Sequence, residues 1–500
     1  MIIAEELFDR IVALIQLDEH RAPEVTGMLY DTLKLACREA LSNNRELFGN
    51  LFSQVDYLSR KYSMHLRDVV AIQKMRSETR TGMQFSSKEL LSHARALSIF
   101  ISTIFQTAIP TRLNHLLPRV YYISKAKREI NYRRIRALVL SVQSDAFKVR
   151  CEQFEDIKKM TVPLNEPHLL YLSTLLQEGM QVNLLDCNVE NDVIETALVV
   201  VNPDFLVDIS SIARCFTDWG HHPLSYTYNR LSPSANSKAI LLGHYSGVAL
   251  DDIINKKEHY SWQESLKKSF SKKALEYCTC GDMNVGDDFK HSAQQQSSNI
   301  QQIVDELFHS EKTSFDESKA ILEPSFICEE LGIQGRVDLM TTDFKLLIEQ
   351  KSGGNFNIER GIINKYGSYQ REDHYVQLLL YYGVLQHNFR LGRNDIDIRL
   401  LYSKYPLPGG LVVVAFYQQL FREAIEFRNR VVVNEIAVAQ QGFGSILTEL
   451  TPFTLNTNKL TSSFYQRYIQ PQQNRVLEPL QQLLPLEKAY FNRMMTFVYR

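Results

Sequence analysis

Along residues 1–160 apolar positions recur at spacings of three and four, and Gly and Pro are sparse. That period predicts amphipathic helix nearly throughout. The texture changes near "TVPLNEPH". Within residues 176–215, "MQVNLLDC" and "TALVVVNPDFLVDIS" are short, rich in β-branched residues and separated by polar turns. They predict strands and a small β-barrel. Helical spacing returns at "SIARCFTDW" and runs through "AILLGHYSGVALDDII" and "SWQESLKKSFSKKALEYC". A polar stretch ending in helix follows. Then come three strand candidates, "SFICEEL", "IQGRVDLM" and "FKLLIEQKS", a helix at about 373–388 and a strand in "DIDIRLLYSKY". Helix, three strands, helix and strand is an α/β order. From about 440 the chain turns Gln-, Thr- and Asn-rich, which predicts an extended connector before a last amphipathic helix, "LPLEKAYFNRMMTFVYR".

Five hundred residues exceed one ordinary core, so several domains are expected. The pattern divides the chain into a helical region 1–160 of open role and a barrel-like or connecting region 161–235. An α/β domain follows over 236–435, with a helical insertion at about 255–310. Residues 436–500 are left as connector and the start of a further C-terminal domain. Lys and Arg number 56 against 57 Asp and Glu, a net charge of −1, so any basic surface must be local. One candidate is "SKAKREINYRRIRALVL", which gathers Lys125, Lys127, Arg128, Arg133, Arg134 and Arg136 around Tyr132 and Ile135. It reads either as a phosphate-contacting face or as an ordinary solvated helix face. No run approaches the roughly eighteen apolar residues of a membrane span, so no membrane partner is expected. The first segment carries Glu5, Glu6, Asp9 and Arg10 in its apolar pattern and reads as a helix, not a signal peptide. Seven scattered cysteines suggest a reducing, cytoplasmic setting. Cys278 and Cys280 are spaced too tightly for a zinc half-site.

The chemistry concentrates in three short segments. Side chains at i and i+2 of a strand share a face. In "LLIEQKS" Glu349 and Lys351 therefore point the same way. In "GRVDLM" Asp338 faces away from Val337 and Leu339. If the two strands pair, Asp338 and Glu349 meet at one end of the sheet. Two half-buried carboxylates repel unless a hard divalent cation neutralises them. Such a cation can hold a scissile phosphate and a water, and Lys351 is placed to serve that water and to offset developing charge. Gln377 and Tyr381 are four apart in "QLLLY" and so share a helix face beside the apolar stripe of Val376, Leu380 and Val384. Each piece is common alone. The order Asp338, then E-x-K, then Q-x-x-x-Y is the informative feature.

That order resembles the PD-(D/E)XK nuclease superfamily in its RecB-like branch. "GRVDLM" is similar to the G-x-[VI]-D motif, "IEQKSG" to [DE]-x-K-[ST]-G and "QLLLY" to Q-x-x-x-Y. The resemblance covers roughly residues 165–430. It implies a restriction-endonuclease-like α/β core, Mg²⁺ or Mn²⁺ as cofactor, and Asp338, Glu349 and the backbone carbonyl of Gln350 as metal ligands. It implies catalytic roles for Lys351, Gln377 and Tyr381. The branch often supplies a histidine from a G-x-x-x-H helix. Here the matching stretch is "LLGHYSGVALDDII", with Gly247 in the histidine's register. His244, three residues earlier, is the candidate fourth ligand, and His291 a second one. Iron–sulfur relatives carry a cysteine triplet after Q-x-x-x-Y. No cysteine follows Cys328 here, so no iron–sulfur cluster is expected.

A helical insertion before the motif strands resembles the nuclease–helicase proteins of replication and repair. This implies a DNase acting on single strands, flaps or ends. Its motor would lie in cis beyond Arg500 or in trans, because no Walker A sequence occurs in the chain. The competing reading is a nucleic-acid-binding or scaffold module that has lost cleavage, for which Gly247 is the best support.

Overall fold

The computed structural model describes residues 2–16, 22–81, 85–121, 129–154, 159–233, 236–256, 260–281, 287–310, 315–361, 368–392 and 395–499. The chain is multidomain and mixes helix and sheet. It divides into two compact units, one of residues 1–127, 354–370 and 404–415, the other of residues 128–353, 371–403 and 416–500.

The first unit is built on five helices, Ile2–Ile15, Ala22–Ala40, Leu51–Lys61, Leu66–Arg80 and Ser87–Phe105. Their apolar faces close one core around Leu7, Phe8, Leu33, Val55, Ile72, Leu97 and Phe100. Three starts are capped locally, that of Leu66–Arg80 by His65 Nδ1, which accepts from Arg67 N. Asn50 accepts from Ser53 N, and Ser86 with Glu89 forms a reciprocal capping box. Strand Leu47–Phe48 pairs in parallel with Leu411–Val414, bringing two distant segments together in this unit.

The second unit opens with a closed five-stranded barrel. Strands run in the order Tyr132–Val142, Ala146–Cys151, Met160–Pro163, Val193–Glu195 and Gln181–Glu190, and the last pairs back onto the first. Strand Leu198–Val201 extends it beside Gln181–Glu190. A barrel was expected, but it begins more than forty residues before the predicted strands, and the helix expected up to residue 160 gives way to strand at Tyr132. The reason is legible in "YRRIRALVLSV". Ile135, Ala137 and Val139 are buried at period two, with the partly exposed Arg136 and Leu138 between them. Arg133, Arg134 and Arg136 therefore lie on a strand, and the expected basic helix face does not form there. Lys125, Lys127 and Arg128 lie outside the described residues.

Beyond the barrel, strands Asp397–Tyr402, Leu346–Lys351, Leu339–Thr341 and Ala320–Leu322 lie side by side in that order. The first two are parallel and are linked through the helix Glu372–Phe389, as a parallel pair requires a long crossover. A second small sheet joins Ser325–Cys328, Ile333–Arg336 and Val207–Asp208. The stretch "IQGRVDLM" is thus two strands in two sheets, broken at Val337–Asp338. Arg428, fully buried on the helix Gln418–Gln441, ties this region to the barrel. Its guanidinium donates to the carbonyls of Gly332, Val201, Asn202 and Phe205. Burial without a carboxylate partner pulls its pKa down to about 9. Gly332 has a φ of +63° and meets Arg428 so closely that a Cβ would lie 2.3 Å from Nη2. Only glycine fits there.

Residues 436–500 are not an extended connector. Helices Gln470–Gln481 and Pro485–Tyr499 follow short turns. Phe443, Ile446, Leu447, Leu450, Leu455 and Leu477 make a core there, with Phe491 and Tyr499 packed on it. Among the described residues no helix is long and apolar enough to cross a membrane.

Candidate active site

The ladder between Leu339–Thr341 and Leu346–Lys351 is antiparallel, with Leu339 opposite Ile348. Asp338 and Glu349 each lie one residue beyond this last pair, close enough for the charge of Asp338 to act on Glu349. Asp338 sits where its strand leaves one sheet for the other, and its Oδ2 accepts from Gln350 N at 2.6 Å. The Gln350 N–H thus holds the Asp338 carboxyl. Its side chain donates to Ser246 O at 3.0 Å, which ties the strand to the helix Lys238–Lys256.

Glu349 is 3% exposed. Its Oε1 accepts from Lys351 Nζ at 2.9 Å and from Gln377 Nε2 at 2.6 Å. Lys351 Nζ also donates to Gln377 Oε1 at 2.8 Å. Glu349 Oε2 is buried with no hydrogen-bond partner. Burial, and then the charge of Asp338, push the Glu349 carboxyl up to about 8. Burial likewise raises Asp338, against the Gln350 N–H and Lys351, which pull it down. Two carboxyls whose charged forms are both disfavoured, one with an orphaned oxygen, fit a divalent cation that would relieve both costs. Asp338 and Glu349 would hold it, and Mg²⁺ commonly completes its shell with water and phosphate oxygens.

Tyr381 lies within reach of the Glu349 and Asp338 charges, with its hydroxyl turned to the backbone. It is 1% exposed, and its hydroxyl donates to Arg336 O at 2.7 Å. Burial raises its phenol well above the ordinary range. It is a strut under the strand that delivers Asp338. Gly335 makes room for it: a Cβ there would lie 2.9 Å from the Tyr381 ring. The helix around it is buried continuously from Tyr375 to Leu385, so Gln377 and Tyr381 do not lie beside a narrow apolar stripe.

His244 is not brought to the carboxylates. It is exposed on its helix, and burial with the nearby Lys273 charge lowers its pKa. The face of that helix toward the strand end is marked by Gly243, whose Cβ would meet Ser352 Oγ at 3.2 Å. Gly247, one turn on, shares that face, and a Cβ there would meet nothing within 4 Å. His291 is exposed as well. Among the described residues no group of three or more His, Cys, Asp or Glu could hold a metal. Of the basic candidates, Arg133 donates to the carbonyls of Gln386 and His387 at a helix end, and Arg136 pairs with Asp204. Arg134 is exposed on the barrel.

No protein-family model and no characterised protein sequence matches the chain. Among solved structures, an exonuclease candidate from Eubacterium rectale is similar at 11% identity and a TM-score of 0.30. The match covers 53% of this chain and 93% of that one. A superposition this loose establishes neither a shared fold nor a shared activity.

Three supporting groups were not foreseen. Gln296 and Asn299, buried on the helix Asp287–Phe308, donate to Ser352 O at 3.3 Å and Ser403 O at 2.9 Å. They pin the strand end just past Lys351. Their signal was present as "SAQQQSSNIQQI", a polar run with helical apolar spacing. The third is His374, one turn before Gln377, whose Nδ1 lies 3.1 Å from Tyr402 OH. Tyr402 is the register partner of Lys351. Burial pushes His374 down to about 3, so it stays neutral beside the lysine.

Proposed function

We propose that this chain is a divalent-metal-dependent nuclease that hydrolyses phosphodiester bonds in DNA, with Asp338, Glu349 and Lys351 as its centre. The observation that carries the reading is the carboxylate pair: Asp338, held by the Gln350 N–H, and Glu349 meet at the end of a ladder, with Glu349 Oε2 buried and unpartnered. When bound, Mg²⁺ or Mn²⁺ would neutralise the phosphate and acidify a water. The rest falls to the chain's own groups. Gln377 holds Glu349 and Lys351 at once, which aims one Glu349 oxygen inward and keeps the ammonium at the strand end. From there Lys351 can orient the attacking water and meet the charge that develops on the phosphate. Tyr381 and Gly335 fix the approach of Asp338. The narrower assignment, the nuclease half of a nuclease–helicase working on single strands or flaps, rests on the sequence resemblance.

The test is metal-dependent cleavage of labelled single-stranded DNA alongside metal binding. Lys351→Ala is expected to retain the metal while cleavage falls by about 10²–10⁴, and Asp338→Ala to lose both. Wild-type cleavage by Glu349→Ala in Mg²⁺ would sink the assignment. A second reading, a binding module without cleavage, is favoured by Gly247, which offers no ligand where the motif has histidine. Metal binding without any cleavage by the wild-type chain would select it.

A further inference from the structure

The first unit contains a cavity of about 650 Å³ that no part of the proposed centre uses. Cavities of roughly 300–1,000 Å³ are the size that encloses ligands. Five cations line it: Arg10 from the first helix, Lys34 and Arg38 from the second, Arg76 and Arg80 from the fourth. Helical spacing explains their convergence, since residues four apart share a face. Asp31 is the one acidic residue in the lining, and Glu39 meets Arg38 at 3.6 Å just outside it. Between the cations stand aromatic rings, Tyr30, Phe52 and Tyr369. The Arg76 guanidinium lies 5.1 Å from the Phe52 ring and Lys34 Nζ 5.6 Å from the Tyr30 ring. The eleven-residue helix Leu51–Lys61 begins at the cavity wall and adds the positive end of its dipole.

We infer that this cavity binds a segment of single-stranded nucleic acid, with phosphates on the cations and bases on the rings. Cations interleaved with aromatic faces are the chemistry that holds single strands without reading their sequence. Five cations drawn from three helices exceed what one terminal phosphate needs. They suit a backbone that brings one charge per nucleotide. The choice of polymer rests on the nuclease reading; the binding itself does not require cleavage.

The test uses the full chain in EDTA, so that no cleavage occurs, and follows the anisotropy of a fluorescein-labelled oligo-dT across a salt series. Arg38 and Arg80 are exposed, so their reversal leaves the core untouched. Arg38→Glu/Arg80→Glu should weaken binding at least tenfold at low salt. The slope of log affinity against log salt should shrink by about 1.4, since each single-strand phosphate contact contributes about 0.7. Arg38→Gln/Arg80→Gln, gentler on folding, should fall between that variant and wild type. Unchanged affinity in both variants, or no binding by the wild-type chain, overturns the inference. So does thymidine monophosphate competing as well as the oligonucleotide, since the site would then take a free nucleotide. Loss of cleavage in Lys351→Ala bears only on the proposed centre, and this binding assay only on the cavity.

Discussion

Glu349→Gln isolates the electrostatic cost built into the carboxylate pair. The amide keeps the size of the side chain and can still accept from Lys351 and Gln377. It removes the charge that Asp338 opposes. In the metal-free chain Glu349 is raised from 4.5 to about 8, so the folded state prefers the proton more than the unfolded state does. The sign follows directly. Below about pH 4 both states are protonated and Glu349 contributes nothing. As pH rises the unfolded carboxyl ionises first, and stability is lost progressively until the folded carboxyl ionises near 8. At about 1.4 kcal/mol per pH unit, the loss by pH 7 is on the order of 3 kcal/mol. Asp338, also raised, acts in the same direction. The cost is local, so hydrogen exchange of the Leu346–Lys351 amides is the suitable probe. In EDTA, protection corrected for intrinsic exchange should fall between pH 5 and pH 8 in the wild type. It should fall much less in Glu349→Gln. Adding Mg²⁺ at pH 8 should restore protection to the wild type alone, because a cation replaces the proton the pair would otherwise keep. A wild-type strand whose protection does not change between pH 5 and pH 8 would refute the reasoning, and so would an equal fall in both proteins.

Arg428→Met should cost several kcal/mol, because the carbonyls of Gly332, Val201, Asn202 and Phe205 lose a donor in a buried place and each orphaned group costs about 1–3 kcal/mol; a denaturation midpoint equal to wild type would contradict this. Gly247→Ala should stabilise by up to about 1 kcal/mol, since it lies within a helix and its Cβ has open space; a lowered melting temperature would mean that the space is needed.

The order of chemical groups, and the kind of element carrying each, were legible in the chain itself. Glu349 and Lys351 follow from the period-two geometry of a strand, and Gln377 with Tyr381 from the period of a helix, whereas Asp338 stands at a break between two strands. These are local regularities, and local spacing is what a sequence records. The meeting of Asp338 with Glu349 needed the ladder, because register joins residues eleven apart through a turn. His244 was a candidate ligand only through the resemblance of its stretch to a G-x-x-x-H helix, three residues out of that register. The helix turns it outward, because each residue rotates the side chain by about 100°. Tyr132–Cys151 reads as helix while arginines dominate the eye and as strand once Ile135, Ala137 and Val139 are seen to share a face. The Glu372–Phe389 helix hid its orientation for the opposite reason. It is buried on every side, so no apolar stripe marks which face meets the strand. Gln377 therefore proved a clamp on Glu349 and Lys351, and Tyr381 a strut, by tertiary contact alone. Gln296 and Asn299 were invisible for the same reason: a buried amide looks like any surface amide until the carbonyl it satisfies, from a segment far along the chain, is brought beside it.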